Sequence, residues 1–400
     1  MKRIGIYGAG ITGLAAAWYA QKKYPNATVT VYEKTDRSGG WIDTYIKEGF
    51  LFEMGPRSCR PFGAGVDTLQ LIQELGLENQ VVLAPREAHR RFLYQNGKLN
   101  RLPNSLSDFV TLPWMWKFLP SIIKEPFLKQ TKLQDESIAS FFTRRFSSTF
   151  ADTFVDPMVS GIFAGDMSQL SLRACFPQID PQKSLILSAL CKPSEKIEDP
   201  FIKRVQKSGL FSFKNGMKTL VDALSDRLNI QYRKPIDVNN PPKNDLVINT
   251  LPGDLPCTSV AVVSIGYKQP AAPQNGFGYL IPRSENTPVL GVVFDSCVFP
   301  EQNRSSSETR LTVMIGGAHM HDFDAFTEED FIQMSLKHLQ ISKDPDSIHC
   351  KRARFAIPQY PVGYQLCDPK EGRIGSFFTG VSVNDCIRAA KRAVHNEFSL

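Results

Sequence analysis

Six residues near the N-terminus, Gly8-Ala9-Gly10-Ile11-Thr12-Gly13, form a Gly-x-Gly-x-x-Gly run, and an acid, Glu33, stands about 20 residues further on. An apolar stretch, Arg3–Tyr7, precedes the run and reads as a buried parallel strand. A helical pattern follows over residues 10–23, with Leu14, Ala15 and Trp18 on one side, and a second strand is expected at Thr28–Tyr32. This is a βαβ unit within about 30 residues, the setting in which such glycines bind a dinucleotide. Each residue type has a task there. Gly8 permits the tight turn, Gly10 lets backbone N–H groups approach a pyrophosphate, and Gly13 lets helix and strand pack closely. The positive end of the helix favours the diphosphate charge. The Glu33 carboxylate would accept hydrogen bonds from adenosine ribose hydroxyls.

A second glycine pair follows, with Arg37 just before Gly39-Gly40-Trp41, and then Glu53-Met54-Gly55-Pro56-Arg57-Ser58. Adjacent glycines allow a backbone to approach a ligand closely, although a plain turn would need no more. A nicotinamide dehydrogenase does not require this extension. The stretch resembles the FAD-dependent amine oxidases, protoporphyrinogen oxidases and phytoene desaturases, where a second glycine pair after the acidic residue touches the cofactor. No Ser-His-Asp set and no paired carboxylates stand out, which suits chemistry whose hard step belongs to a cofactor.

Other elements must hold these residues in place. Val66, Leu69, Ile72 and Leu75 recur at helical spacing, and Gly76 stops that helix. Met217, Leu220, Val221, Leu224 and Leu228 form another amphipathic stripe. Strands are expected at Leu246–Asn249, 260–265, 289–294 and 311–315, the last three in an antiparallel sheet, and helices at Glu328–Leu339 and 384–396. Between residues 85 and 207 the character changes, and Phe, Trp, Pro and basic residues cluster, as in Pro113-Trp114-Met115-Trp116-Lys117-Phe118. Trp and Tyr favour membrane interfaces, with Lys able to snorkel beside them; an ordinary helical domain with a Trp-rich core fits equally well.

With 400 residues, 42% of them hydrophobic, the chain has material for more than one domain. The net charge of +7 favours an anionic partner, but Lys and Arg are spread along the chain, so no nucleic-acid partner is expected. The eight cysteines lie apart with no CxxC pair and read as reduced thiols; the His319/His321 pair lacks a nearby third ligand, so no metal is expected. Met1-Lys2-Arg3-Ile4 leads directly into a strand without a secretory pattern, and no apolar run reaches about 18 residues. A cytoplasmic protein, peripheral on the inner face of the cell membrane, is the expectation.

The resemblance narrows along the chain. Gly39-Gly40-Trp41-Ile42, Gly55-Pro56-Arg57, Arg60-Pro61, Gly161-Ile162-Phe163-Ala164-Gly165-Asp166, Ser212-Phe213-Lys214-Asn215-Gly216-Met217 and Gly380-Val381-Ser382-Val383-Asn384-Asp385-Cys386 all resemble the protoporphyrinogen oxidase family, in order from end to end. The resemblance implies an α/β fold of α+β character. A Rossmann-like FAD-binding domain would come from residues 1–84, 208–259 and 358–400. Residues 85–207 would form a helical membrane-associated domain, and 260–357 a β-rich substrate domain.

Carried over by motif, Gly8, Ala9, Gly10, Ile11, Thr12, Gly13, Glu33, Lys34, Arg37, Gly40, Trp41, Gly55, Pro56, Arg57 and Ser58 are expected to touch FAD. Ile236 falls at the adenine side, and Ser376, Val381, Ser382 and Val383 would pass under the flavin and ribityl chain. Arg91 matches an arginine that pairs a propionate, suited to a bidentate carboxylate contact. Phe277, Leu280, Val293 and Met314 match apolar pocket residues, and Gly161 the backbone beside the oxidised carbon. Read bare, Arg91 is a solvated charge and the four apolar residues are sheet core.

The family reaction is a six-electron oxidation of protoporphyrinogen IX to protoporphyrin IX in three flavin cycles, each passing electrons to O2 and releasing peroxide. The substrate would be a porphyrinogen, with coproporphyrinogen as the near rival; a homodimer and hand-over to ferrochelatase are further partnerships within this reading. Two departures bear on substrate range: the stretch from 358 to 375 is short, and Ser160 precedes Gly161. A flavin amine oxidase or desaturase, and a non-catalytic escort-type scaffold, remain as alternatives; the Gly161 and Gly380 segments and the intact second glycine pair argue against them.

Overall fold

In the computed structural model the described residues are 2–104, 108–128, 133–190, 197–237, 240–369 and 372–395; the expectations at Cys191 and Asn396 lie outside them. The first strand, Arg3–Tyr7, is central in a four-stranded parallel sheet ordered Leu246–Asn249, Arg3–Tyr7, Thr28–Tyr32, Ile230–Gln231. Ile4 and Ile6 are fully buried in it. The first helix, Ile11–Lys23, carries Ala15, Ala16 and Ala17, all buried, and the last helix, Val383–His395, meets it with Ala389, Ala390 and Ala393. Small residues on both sides let the two helices share one core with Leu69, Leu220 and Ile387. The two ends of the chain thus close one unit.

A seven-stranded sheet follows the order Ser347–Pro358, Cys257–Tyr267, Thr309–Gly316, Val289–Val293, Gly278–Leu280, Arg91–Gln95, Lys98–Arg101. Helix Glu328–Leu339 is started by a capping box between Thr327 and Asp330 and buries Phe331 in the core of that sheet. One expectation needs correction. Residues 91–101 fall in the segment read as helical, yet they form a hairpin and join this sheet, Arg91 pairing in parallel with Gly278. The reason is local: Asn96 and Gly97 both have positive φ (54° and 72°), which makes the two-residue turn that matches strand twist.

The remaining part of 85–207 is helical. Ser137 caps Ile138–Arg145 by accepting the Ser140 N–H at 3.1 Å. A π-turn at Ala151–Val155 runs into helix Asp156–Phe163. Pro157 has no N–H to offer the carbonyl one turn back, which accounts for the widened turn. Trp114 packs on Phe154 (5.7 Å between centroids) and Phe118 is buried, whereas Trp116, Ile123 and Phe127 are 54%, 66% and 83% exposed. Among the described residues no helix is long and apolar enough to cross a membrane.

Candidate functional site

The glycine-rich turn is shaped by contacts that no side chain could enter. Gly8 sits at φ +99°, and a Cβ on Gly13 would lie 1.9 Å from the Gly8 carbonyl oxygen, so strand and helix approach at van der Waals limits. Gly10 is the opposite case: a Cβ there would meet nothing within 4 Å. The space before Gly10, at the helix start, is therefore open and suits a pyrophosphate. The second glycine pair docks on this turn, with the Gly39 N–H donating to the Ala9 carbonyl at 2.8 Å.

Glu33 is buried and accepts three hydrogen bonds: from the Ala9 N–H (2.9 Å), the Thr35 N–H (2.9 Å) and the Thr35 hydroxyl (2.8 Å). A carboxylate offers about four acceptor positions, so one remains for a ribose hydroxyl. Glu33 thus also organises the turn, a role its position in sequence did not reveal. Arg37 is engaged within the second turn. Its guanidinium donates to the carbonyls of Gly40 (2.7 Å), Ser38 (3.2 Å) and Ile42 (3.3 Å), holding the second turn together. Lys34 is exposed, and Ile236 is half-buried on the stretch where the Lys234 N–H donates to the Glu33 carbonyl at 2.8 Å. From the C-terminal end, Gly375 (φ +118°) faces Thr12, and the Ser376 carbonyl accepts from the Tyr360 hydroxyl. Ser382 caps the last helix by accepting the Asp385 N–H at 3.1 Å, and Val383 is buried behind it. Ala9, Ile11 and Thr12 are buried in the turn and first helix.

Beside this groove lies a largely apolar cavity of about 520 Å³. All six residues expected at a substrate line it: Arg91, Gly161, Phe277, Leu280, Val293 and Met314. So do Trp41, Gly55, Pro56, Arg57, Ser58 and Val381 from the cofactor set, which joins the two parts into one site. A Cβ on Gly55 would lie 1.9 Å from the Trp41 carbonyl oxygen, so only glycine lets those two segments meet. Gly161 places a helix backbone against Leu280, whose Cδ2 would be 2.6 Å from an added Cβ. The strands supply the rest through register: Val262 stands opposite Met314, and Gly278 opposite Val293. Arg60, Met158, Val260, Val262, Ala353 and Ile357 also line the cavity and were not foreseen. Strand alternation marks Val260 and Val262 as one-sided, but not which side faces a ligand.

The charges at the site are few. Arg57 Nη1 pairs with Asp295 Oδ1 at 3.0 Å, and the Thr312 hydroxyl donates to Asp295 Oδ2 at 2.7 Å. Behind them, burial pushes the pKa of Glu53 up to about 8, although it accepts from the Met217 N–H (2.6 Å) and the Thr44 hydroxyl (2.9 Å). Arg91 stands at the mouth, open to solvent on its outer side, with its guanidinium 5.5 Å from the centre of the Phe277 ring. The protein packed around its tip lowers its pKa, and the Arg60 charge lowers it further. No carboxylate, histidine or cysteine lines the cavity among the described residues. The arrangement can hold an apolar body with anionic substituents beside a dinucleotide groove, and it leaves electron transfer to a cofactor.

Comparison with known proteins agrees with this geometry. A family model described as flavin containing amine oxidoreductase matches residues 11–238 and 245–395. The protoporphyrinogen oxidase of Schizosaccharomyces pombe is 31% identical over 96% of this chain and 96% of its own length. The coproporphyrinogen III oxidase of Bacillus subtilis is 26% identical over 98% of this chain and 97% of its own. Among solved structures, one from Exiguobacterium, named only provisionally as a protoporphyrinogen oxidase, superimposes with a TM-score of 0.79 at 20% identity over 98% of each chain.

Proposed function

Because the chain belongs to the flavin containing amine oxidoreductase family, with FAD as its cofactor, we propose that it is an oxidase that converts protoporphyrinogen IX to protoporphyrin IX in haem biosynthesis, with O2 as acceptor and H2O2 as product. The observation that carries this reading is the single cavity in which Arg91 meets an apolar wall beside Trp41 and the Gly55–Ser58 backbone. Oxidation of coproporphyrinogen III is the second reading, favoured by the similarity to the Bacillus subtilis enzyme.

In this mechanism FAD, when bound, supplies the two-electron acceptor that O2 reoxidises. Gly10 would leave room for its diphosphate, Gly13 lets the helix that faces it pack against the strand, and Glu33 would accept from a ribose hydroxyl. Phe277, Leu280 and Met314 would enclose the tetrapyrrole and exclude water. Gly161 permits the approach of that carbon because a side chain there would occupy the space of Leu280. Arg91 orients the molecule by a propionate.

The exposed Trp116, Ile123 and Phe127, with Lys117 and Lys124 exposed beside them, support a surface that rests on an anionic membrane. Sedimentation with anionic liposomes at low salt tests it; protein left in the supernatant rejects the membrane role. For the activity, purified protein is given both porphyrinogens anaerobically and then air, with porphyrin fluorescence and peroxide followed. Faster turnover of protoporphyrinogen is expected. Faster turnover of coproporphyrinogen selects the second reading, and no turnover of either removes both.

A further inference from the structure

Three arginines line the cavity, and only one has an acidic partner. Arg57 is paired with Asp295. Arg60 and Arg91 make no ion pair and no side-chain hydrogen bond among the described residues. Arg60 is nevertheless firmly placed by its backbone. Its carbonyl accepts from Asn384 Nδ2 at 2.9 Å, and the chain at Gly65 packs so closely that a Cβ there would lie 1.8 Å from that oxygen. Asn384 is buried on the last helix and is held in turn by the Thr68 hydroxyl at 2.8 Å. Arg91 is fixed by its strand pairing and lies over Phe277. Two guanidinium groups thus line one cavity without an acidic partner, and the Arg60 charge disfavours that of Arg91. An anion bound between them relieves that repulsion. The planar fork of each suits one carboxylate.

Among the described residues the remainder of the cavity, including Val260, Val262, Leu290, Ala353 and Ile357, carries no further cation except Arg57, which Asp295 already pairs. We propose that Arg60 is a second carboxylate anchor, and that Arg60 and Arg91 form a clamp for two carboxylates at one edge of the substrate, selecting a dicarboxylic tetrapyrrole over a tetracarboxylic one. The inference rests on the porphyrinogen reading above. A tetracarboxylic substrate must set its other two carboxylates against apolar wall, where an unpaired charge is strongly disfavoured. Discrimination then comes from what the far wall lacks as much as from what the mouth offers.

The test is a titration of the FAD-loaded protein with protoporphyrin IX and with its dimethyl ester, read by the porphyrin absorbance. Arg60→Gln is expected to weaken the diacid by about tenfold to a hundredfold and to leave the diester unchanged, with Arg60→Lys recovering part of the loss. An equal loss for diacid and diester, or no loss for either, overturns the anchor, because a structural role does not distinguish an acid from its ester. In turnover, the parent is expected to favour protoporphyrinogen IX over coproporphyrinogen III at least tenfold, and Arg60→Gln to narrow that ratio through KM. An unchanged ratio overturns the selection. Porphyrin binding without oxidation of either porphyrinogen overturns the proposed function, while the titration still decides the clamp.

Discussion

The glycine groove and the apolar cavity adjoin, yet they are built by different means. The groove is a backbone object. Its shape follows from where side chains are missing, at Gly8, Gly13, Gly39 and Gly55, each within two short stretches of sequence. The cavity is a side-chain object. Its lining comes from the hairpin at 91, the helix at 161, and strands at 262, 280, 293, 314 and 357, which meet only after the seven-stranded sheet has formed. A backbone site tolerates almost no substitution where chains touch. A side-chain site should lose function in small steps, because many residues share the wall.

The largest effects should come from breaking the groove, and its two inner glycines should fail differently. Gly13→Val drives a side chain into the Gly8 carbonyl, so loss of folded protein is expected, measured as yield and thermal melting. The Cβ that Gly10→Val adds meets no protein atom within 4 Å. A normally folded but colourless protein is expected, and a yellow, active one would remove the pyrophosphate from that place.

Next in size is the joint between the regions. Asp156, buried at the start of the helix bearing Gly161, pairs with Arg283, which also reaches Asp166 at 3.2 Å. Asp156→Ala should cost about 1 to 2 kcal/mol in chemical denaturation, because it removes the acceptor of the Arg283 backbone N–H and guanidinium while Arg283 keeps Asp166. It should also raise KM, since Gly161 loses its setting. Unchanged stability would show that the joint is held by packing alone.

A smaller change is expected at the cavity. Arg91→Ala should raise KM about tenfold to a hundredfold with the flavin spectrum unaltered; equal kinetics would remove the propionate role.

The smallest lies behind the cavity, at Glu53. Its pKa in the folded protein, about 8, is above its ordinary value of 4.5, so the folded state binds the proton more tightly than the unfolded state does. Stability from this group is therefore full below the ordinary value and falls as pH rises towards 8. Glu53→Gln should flatten the dependence of Tm on pH over that window. A parent whose Tm does not fall as pH rises would show that Glu53 is ionised in the fold.

The legibility of the two regions differs in the same way. Gly8 to Gly13 and Glu33 could be read because a βαβ unit is local, and its glycine spacing states the backbone geometry directly. The Asn96-Gly97 hairpin was equally local and equally legible, but the aromatic and basic composition around it drew the reading towards helix. Arg37 has a part that motif reasoning did not give. Its position suggested a ligand, while its guanidinium closes a turn over three carbonyls. For Phe277, Leu280, Val293 and Met314, resemblance pointed to the pocket where periodicity alone pointed to sheet core. Arg60 stood in a quoted motif without a role, because the lack of a carboxylate around it appears only when its neighbours from the last helix and the hairpin are in place.

The sequence by itself determined the dinucleotide unit, its flavin-family extension and the supply of apolar strands, since each depends on neighbours a few residues apart. Only the tertiary structure decided that the two ends of the chain close one core, and which face of each strand becomes cavity wall. It alone decided which of three arginines is neutralised. Charge pairing and cavity lining depend on residues hundreds of positions apart, whose meeting is set by packing rather than by spacing.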